Sequence, residues 1–254
     1  SAPRCLALFV QARSRRARGA AEALLDTARL VPKGRATILQ QARPMADPHP
    51  ASPAYDNVAG NYYDKYASQN PIARALMNGF FGAFDELSSR TGAKTAFEVG
   101  CGEGELSLRL LGRGIDVRGC DLEGESVAEA NARALAHGHG ERFAVRSIYD
   151  LADSEIAADL IVCCEVLEHL PDPRAGLERL AAQRAEHFLM SVPREPIWRA
   201  LNCARGKYLA DLGNTPGHLQ HWSRKAFLEF VGSAFDIIEV RSPLPWTMVL
   251  ARPR

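Results

Sequence analysis

The chain has 254 residues, of which 46% are hydrophobic and 24% charged, and its formal net charge is +1. This length suits one large domain built on a buried sheet, or such a domain with extensions. No run of about 18 apolar residues predicts a membrane span, and six cysteines without CxxC spacing exclude a disulfide framework and fit a cytoplasmic protein.

Charge is distributed unevenly along the chain. Residues 1–44 carry nine Lys or Arg residues and two acidic ones, so residues 45–254 carry 22 basic and 28 acidic residues. An acidic main part argues against a nucleic-acid backbone as the partner. The basic N-terminal extension could be a transit-like arm, a weakly packed helix, or a segment upstream of a natural start at Met45. We favour the third interpretation, in which this extension is non-native or disordered and is dispensable.

A helix is predicted to begin at Pro71, since proline suits the first helical turn. Apolar residues then recur at helical spacing. They are Ile72, Leu76, Phe80, Phe84 and Leu87.

The next segment predicts a ligand site. Residues 95–99 include a short apolar run typical of a buried strand, and Gly100, Gly102 and Gly104 follow at alternate positions before a leucine-rich helix. Strand, glycine turn and helix build a nucleotide site in α/β sheets, because glycines let the backbone approach the ligand and the helix N-terminus offers N–H groups. Glu98 beside this turn suits a cationic or hydrogen-donating ligand group better than a pyrophosphate.

Strands and helices alternate through the rest of the chain. Further strands are predicted at 115–121, 142–146, 159–164, 187–192, 235–240 and 247–251. Helices are predicted at 126–135, 174–184 and 223–230. The alternation predicts an α/β fold with a doubly wound sheet of seven strands. Residues 194–222 are predicted to be a long insertion of low periodicity on the substrate side.

Polar residues follow two of these strands. Asp121 lies 21 residues after Gly100 and ends the second strand, where a carboxylate can accept both hydroxyls of a ribose. Glu165, Glu168 and His169 follow the fourth strand at spacings i, i+3 and i+4, which would place all three on one face of a helical turn. Two carboxylates and an imidazole there could contact cofactor and substrate, or could bind Mg²⁺, Mn²⁺ or Zn²⁺.

The run from Glu98 to Gly104, together with Asp121, resembles the first motif of class I S-adenosylmethionine-dependent methyltransferases, acid-x-Gly-x-Gly-x-Gly. The resemblance covers residues 55–251 and implies a Rossmann-like, mostly parallel sheet whose last strand is antiparallel. It also implies that residues 91–254 form the cofactor-binding core and that residues 45–90 form a helical lid. Candidate lid residues are Tyr62, Tyr63 and Tyr66.

The same resemblance implies S-adenosylmethionine as the cofactor and assigns positions to it. Leu122 would lie against the adenine, Ser147 or Asp150 would meet its amino group, and the Ile148 N–H would meet a ring nitrogen. Ser147 departs from the acid that many relatives carry there. Glu165 would hold the amino group of the methionine part. The complete predicted cofactor set is Glu98, Gly100, Cys101, Gly102, Gly104, Asp121, Leu122, Ser147, Ile148 and Glu165.

Two branches of the family share the pattern after the fourth strand. The run from Glu168 to Pro173 resembles the O-methyltransferases of ubiquinone biosynthesis, and Glu-x-x-Glu-His also resembles the 2′-O-methyltransferases of small-RNA 3′ ends. In the latter a later histidine completes a metal site, and His218 or His221 could be that residue.

We therefore predict a methyltransferase that acts on a hydroxyl of a small-molecule acceptor. Its predicted catalytic residues are His169, as the base, with Glu168 and His221. A divalent metal site formed by Glu165, Glu168, His169 and His218 stays open for the same residues. Two further functions also stay open on this fold. One is an RNA 3′-terminal 2′-O-methyltransferase, which the acidic core disfavours, and the second is a non-catalytic binding subunit.

Overall fold

The computed structural model describes residues 70–254. The proposed extension 1–44 and the three lid tyrosines lie outside the described residues. The helices are α1 Pro71–Arg90, α2 Glu105–Leu111, α3 Gly124–Ala136, α4 Pro173–Ala181, α5 Ile197–Ala204 and α6 Arg224–Gly232. The strands are β1 Thr95–Val99, β2 Asp116–Asp121, β3 Phe143–Val145, β4 Ala157–Cys164, β5 Arg184–Pro193, β6 Phe235–Arg241 and β7 Trp246–Pro253.

The seven strands form one sheet in the order β3-β2-β1-β4-β5-β7-β6. The pairs from β3 through β5 are parallel, and β7 is antiparallel to both β5 and β6. This confirms the predicted doubly wound sheet with an antiparallel last strand. The chain winds outward from β1 in one direction and from β4 in the other, so the carboxyl ends of these two strands border the crevice in which such sheets bind ligands.

The central strands carry apolar side chains toward both faces of the sheet, which explains their nearly continuous hydrophobic character. One core cluster joins α1 and α2 to the sheet through Phe84, Leu110 and Leu160. The other joins α4 and α6 to the opposite face through Leu177 and Phe227. Helices therefore cover both faces and leave the loops at the strand ends to form the ligand site.

Helix α1 is fixed at its start by a cap and along its length by ion pairs. The Asn70 side chain accepts a hydrogen bond from the Ile72 N–H at 2.9 Å, and Pro71 needs no partner for a backbone N–H. Asp85 of α1 accepts two hydrogen bonds from Arg109 of α2, at 2.7 and 2.6 Å. These contacts hold α1 against the helix that follows the glycine turn.

The segment 194–222 is more ordered than its low sequence periodicity predicted. It contains α5 and a 3₁₀ turn at Leu209–Asp211. Ile197, Trp198 and Leu201 of α5 do follow a helical spacing, but this helix of eight residues is shorter than the window of about 11–18 residues over which such a repeat is recognised. Its last part returns to the sheet edge, where the N–H groups of Leu219 and Gln220 donate to the carbonyl oxygen of Glu168 at 2.8 and 2.9 Å.

The part of the chain that the structure describes holds no helix that is both long enough and apolar enough to cross a bilayer. Its five cysteines are all free thiols. They are Cys101, Cys120, Cys163, Cys164 and Cys203.

Candidate cofactor and acceptor site

The glycine turn after β1 adopts a backbone conformation that residues with side chains rarely take. Gly100, Gly102 and Gly104 have φ angles of 76°, 50° and 79°. A Cβ on Gly100 would lie 2.1 Å from Cγ2 of Val166, so this glycine lets the loops after β1 and β4 touch. A Cβ on Gly102 would meet nothing within 4 Å. The backbone at Gly102 thus faces open space, as a cofactor that contacts the main chain requires.

Asp121 holds this turn from the end of β2. Its Oδ2 accepts a hydrogen bond from the Gly102 N–H at 2.7 Å, and its Oδ1 accepts one from the Glu123 N–H at 2.9 Å. The next residue, Leu122, exposes 46% of its surface. A carboxylate and an exposed leucine therefore stand beside the open face of the turn, which fits a ribose and an adenine ring.

The predicted adenine-edge residues lie on a short 3₁₀ turn, Ile148–Asp150, after β3. The Ser147 hydroxyl oxygen caps this turn by accepting a hydrogen bond from the Tyr149 N–H at 3.2 Å. The Ile148 side chain is buried, whereas Asp150 is exposed. Ser147 thus has a local structural role besides the contact predicted for it.

Glu98 differs from the charged carboxylate that the sequence suggested. Its side chain is only 2% exposed, and its Oε2 accepts a hydrogen bond from the Ser107 hydroxyl at 2.5 Å. Burial raises the pKa of Glu98 from 4.5 to about 8, so the carboxyl is mostly neutral at pH 7. Burial likewise raises the pKa of the neighbouring Cys101 thiol. Both residues support the turn from inside the core.

Glu165 does not share a face with Glu168 and His169, contrary to the prediction of one helical turn. It has a left-handed φ of 59°, and a 3₁₀ turn begins only at Leu167. Its Oε1 accepts a hydrogen bond from the Ser191 hydroxyl at 3.0 Å, and its Oε2 accepts one from Nε1 of Trp246 at 2.7 Å. The left-handed residue turns this carboxylate toward β5 and β7.

The structure instead brings Glu168, His169 and His218 together. One ligand atom from each lies within 4.8 Å of the others. Glu168 is 1% exposed and His218 is 9% exposed, and the two imidazole rings lie 4.9 Å apart in an edge-on arrangement. Two imidazoles and one carboxylate at this spacing could position a proton acceptor or hold a divalent cation.

A backbone carbonyl orients the His169 ring. Nδ1 of His169 lies 2.9 Å from the carbonyl oxygen of Gly217. A carbonyl only accepts hydrogen bonds, so Nδ1 carries the proton and the neutral ring keeps its lone pair on Nε2. Nε2 lies 4.0 Å from Oε1 of Glu168.

His221 lies outside this group. It is exposed, and its Nε2 is 2.7 Å from Oδ1 of Asn214. The structure therefore places His218, and not His221, beside the Glu168 and His169 pair. The catalytic role predicted for His221 has no support from this arrangement.

An aromatic chain connects these parts of the site. Trp246 packs edge-on against Phe80 of α1 at 5.0 Å and against Trp198 of α5 at 5.6 Å. Trp198 in turn stacks on His218 at 5.8 Å. The sequence does not predict a place for Trp246 in the site, because its only signal is a tryptophan at the start of a late strand. Its place beside Glu165 depends on β7 pairing with β5.

Comparison with known proteins identifies the family of this chain. Residues 97–183 match a family model described as a methyltransferase domain. A protein of Xanthomonas oryzae pv. oryzae strain PXO99A is 33% identical over 189 residues, which cover 68% of this chain and 77% of that protein. The chain belongs to the S-adenosylmethionine-dependent methyltransferases, and the predicted family is confirmed.

Within that class, the Xanthomonas relative is named ubiquinone biosynthesis O-methyltransferase. A protein of the same name from Idiomarina loihiensis is 41% identical over 89 residues, covering 35% of this chain and 37% of the relative. A third, from Xanthomonas axonopodis pv. citri, is matched over 61% of its length. The matched part of the chain thus covers between about a third and three quarters of the length of these relatives.

Solved structures share the fold. Magnesium protoporphyrin IX methyltransferase from Synechocystis PCC 6803, with bound S-adenosylhomocysteine, superposes with a TM-score of 0.56 at 18% identity, covering 74% of this chain and 89% of that one. The N-methyltransferase NodS from Bradyrhizobium japonicum WM9 gives 0.54 at 18% identity, covering 76% and 93%. At these low identities the superpositions show a shared fold alone. The glycine turn with Asp121 fits the S-adenosylmethionine cofactor of the family.

Proposed function

We propose that this chain transfers a methyl group from S-adenosylmethionine to a hydroxyl group of a small molecule. The bound cofactor supplies an activated methyl group for an in-line displacement. The chain's task is to hold the acceptor oxygen on that line, and orientation of this kind can remove about 7–11 kcal/mol of barrier. The names of the relatives, O-methyltransferases of ubiquinone biosynthesis, support oxygen as the acceptor atom.

His169 is proposed as the base that takes the hydroxyl proton. The observation that carries this proposal is the hydrogen bond from Nδ1 to the Gly217 carbonyl, because it leaves the lone pair of the neutral ring on Nε2. His218 packs edge-on against this ring and limits its rotation. Glu168, buried beside Nε2, stabilises the imidazolium that forms when the proton arrives.

The cofactor contacts form a second part of the proposal. Asp121 accepts from the ribose hydroxyls while it keeps the Gly102 N–H in place. Glu165 accepts from the amino group of the methionine part, since it follows β4 and is joined to Val166, which touches Gly100. Leu122 and Ile148 border the adenine. These assignments place the transferable methyl group between the glycine turn and the carboxyl end of β4.

A divalent metal is the second candidate for the role of this cluster. Glu168, His169 and His218 bring one ligand atom each within 4.8 Å of one another, and a carboxylate with two imidazoles suits Mn²⁺ or Zn²⁺. A cation held there would lower the pKa of an acceptor hydroxyl bound to it. Glu165, whose carboxylate contacts Ser191 and Trp246, is then not among the ligands.

A chelator experiment separates the two roles of His169. If it acts as a base without metal, activity survives chelation and the rate rises with pH through one ionisation, because a protonated imidazole accepts no proton. His169→Ala then lowers turnover by about 10²–10⁴-fold with cofactor affinity nearly unchanged. If it is a metal ligand, chelation abolishes activity, an added cation restores it, and Glu168→Ala is as damaging as His169→Ala.

The control is His137→Ala, which removes an exposed histidine at the end of α3. It is expected to keep wild-type turnover. Normal turnover of His169→Ala would reject both roles. Candidate acceptors are screened with labelled cofactor, and label that appears on nitrogen or on RNA would refute the small-molecule hydroxyl acceptor.

We also propose a cytoplasmic location and a partner that is not nucleic acid. The free cysteines support the first, since a reducing compartment preserves thiols. The excess of acidic over basic residues in 45–254 supports the second, since phosphate backbones attract basic surfaces.

A further inference from the structure

The side chain of Glu165 is held by two donors that belong to different strands. The Ser191 hydroxyl of β5 and the Trp246 indole N–H of β7 each donate to one of its oxygens, at 3.0 and 2.7 Å. Ser191 is fully buried and Trp246 is 3% exposed. Donors on paired strands of a sheet core are fixed in position, so the carboxylate plane is fixed as well.

The backbone at Glu165 supports the same arrangement. Its φ of 59° is uncommon for a residue with a side chain, so the surrounding contacts must hold it there. The Glu165 N–H also donates to the Ser191 carbonyl oxygen at 3.0 Å. Ser191 therefore contacts both the main chain and the side chain of this residue. The sheet thus holds Glu165 in a backbone conformation that residues with side chains rarely adopt.

This fixed carboxylate stands beside the glycine turn. Val166, the next residue, lies so close to Gly100 that a Cβ on the glycine would overlap it. The loop that carries Glu165 thus borders the loop that approaches the cofactor. A carboxylate accepts about four hydrogen bonds, so both donors can remain when an ammonium group binds.

We propose that Trp246 and Ser191 are positioning residues that orient the Glu165 carboxylate toward the amino group of the cofactor. The inference rests on the proposed role of Glu165. Trp246 also contacts Phe80 and Trp198, so its ring is clamped between α1 and α5 and its N–H direction is set by packing. An indole fixed in this way loses little entropy when it donates, which makes it an effective positioning group.

The test compares two ligands on the full chain by calorimetry. S-adenosylhomocysteine has the amino group, whereas 5′-methylthioadenosine lacks the whole amino-acid part. Trp246→Phe keeps an aromatic ring in the cluster but removes the donor. It is expected to weaken S-adenosylhomocysteine about 5- to 50-fold and to change 5′-methylthioadenosine less than about twofold. Ser191→Ala is expected to show the same selectivity.

Trp222→Phe is the matched control, because Trp222 packs against Phe227 and Phe230 on the other face of the sheet. It is expected to bind both ligands as the wild type does. A general packing defect in Trp246→Phe would weaken both ligands equally and would overturn the proposal. Wild-type affinity of that variant for S-adenosylhomocysteine would overturn it too.

The variant Glu165→Gln distinguishes a failure of this inference from a failure of the proposed role of Glu165. If Glu165→Gln weakens S-adenosylhomocysteine but Trp246→Phe does not, the positioning role is wrong while the role of Glu165 stands. If Glu165→Gln has no effect, the assignment of Glu165 to the amino group is itself wrong. Neither result depends on the acceptor or on His169, because only binding is measured.

Discussion

Alanine substitutions in the glycine turn can separate backbone cost from ligand contact. Gly102 and Gly114 both have a left-handed φ, 50° and 80°, and at both a Cβ would meet nothing within 4 Å. They differ in place: Gly102 lies at the carboxyl end of β1, whereas Gly114 lies in the turn that precedes β2. Gly114→Ala is therefore a control that also places alanine in a left-handed conformation, but at the opposite end of a strand from the site.

The expected stability changes follow from these geometries. A left-handed alanine costs about 1–2 kcal/mol in the native state, and alanine recovers about 0.4–1 kcal/mol by restricting the unfolded chain. Both variants should lose about 1 kcal/mol, or about 2–4 °C in melting temperature for a domain of this size. Gly100→Ala should lose about 2–4 kcal/mol, because its Cβ would also overlap Val166.

Cofactor affinity should distinguish Gly102→Ala from Gly114→Ala, although their stabilities are expected to be similar. The Cβ of Gly102→Ala enters the open space beside the Asp121 contact, so we expect S-adenosylhomocysteine to bind about tenfold or more weakly. Gly114→Ala should bind it as the wild type does. Thermal unfolding and calorimetry on the same samples measure both quantities. Wild-type affinity in Gly102→Ala, or an equal loss in Gly114→Ala, would refute the proposed cofactor position.

Two further predictions concern carboxyl groups. The folded-state pKa of Glu98, about 8, lies above its usual 4.5, so its contribution to stability is complete below pH 4.5 and is lost as pH rises through 8. The free energy of unfolding of Glu98→Gln, measured in urea, should therefore rise relative to that of the wild type between pH 5 and 8, by at most about 1.4 kcal/mol per pH unit. If the two proteins lose or gain stability in parallel over this range, the raised pKa of Glu98 is contradicted. Asp121→Ala should weaken S-adenosylhomocysteine by about 1–3 kcal/mol in calorimetry, and unchanged binding would remove Asp121 from the ribose site.

The fold and the glycine turn with Asp121 follow closely from local sequence. An apolar run followed by glycines at 100, 102 and 104 specifies a strand and a turn with positive φ angles, since other residues resist that backbone. The spacing to Asp121 places a carboxylate at the end of the adjacent strand, where it meets the Gly102 N–H. Each of these features depends on residues within one strand–helix–strand unit, so a linear pattern carries it.

The arrangement of the residues that follow β4 was decided by tertiary structure. The partner of Glu165 on β7, Trp246, is 81 residues away in sequence, and Gly217, which orients His169, is 48 residues away. These contacts require β7 to lie beside β5, and they require the segment 194–222 to return to the 3₁₀ turn that contains Glu168 and His169. The i, i+3 spacing predicted that Glu165 shares a face with Glu168, but the left-handed backbone of Glu165 places its carboxylate beside Ser191 and Trp246 instead. Contacts between distant segments depend on strand order and backbone conformation together, and neither is encoded in a short motif.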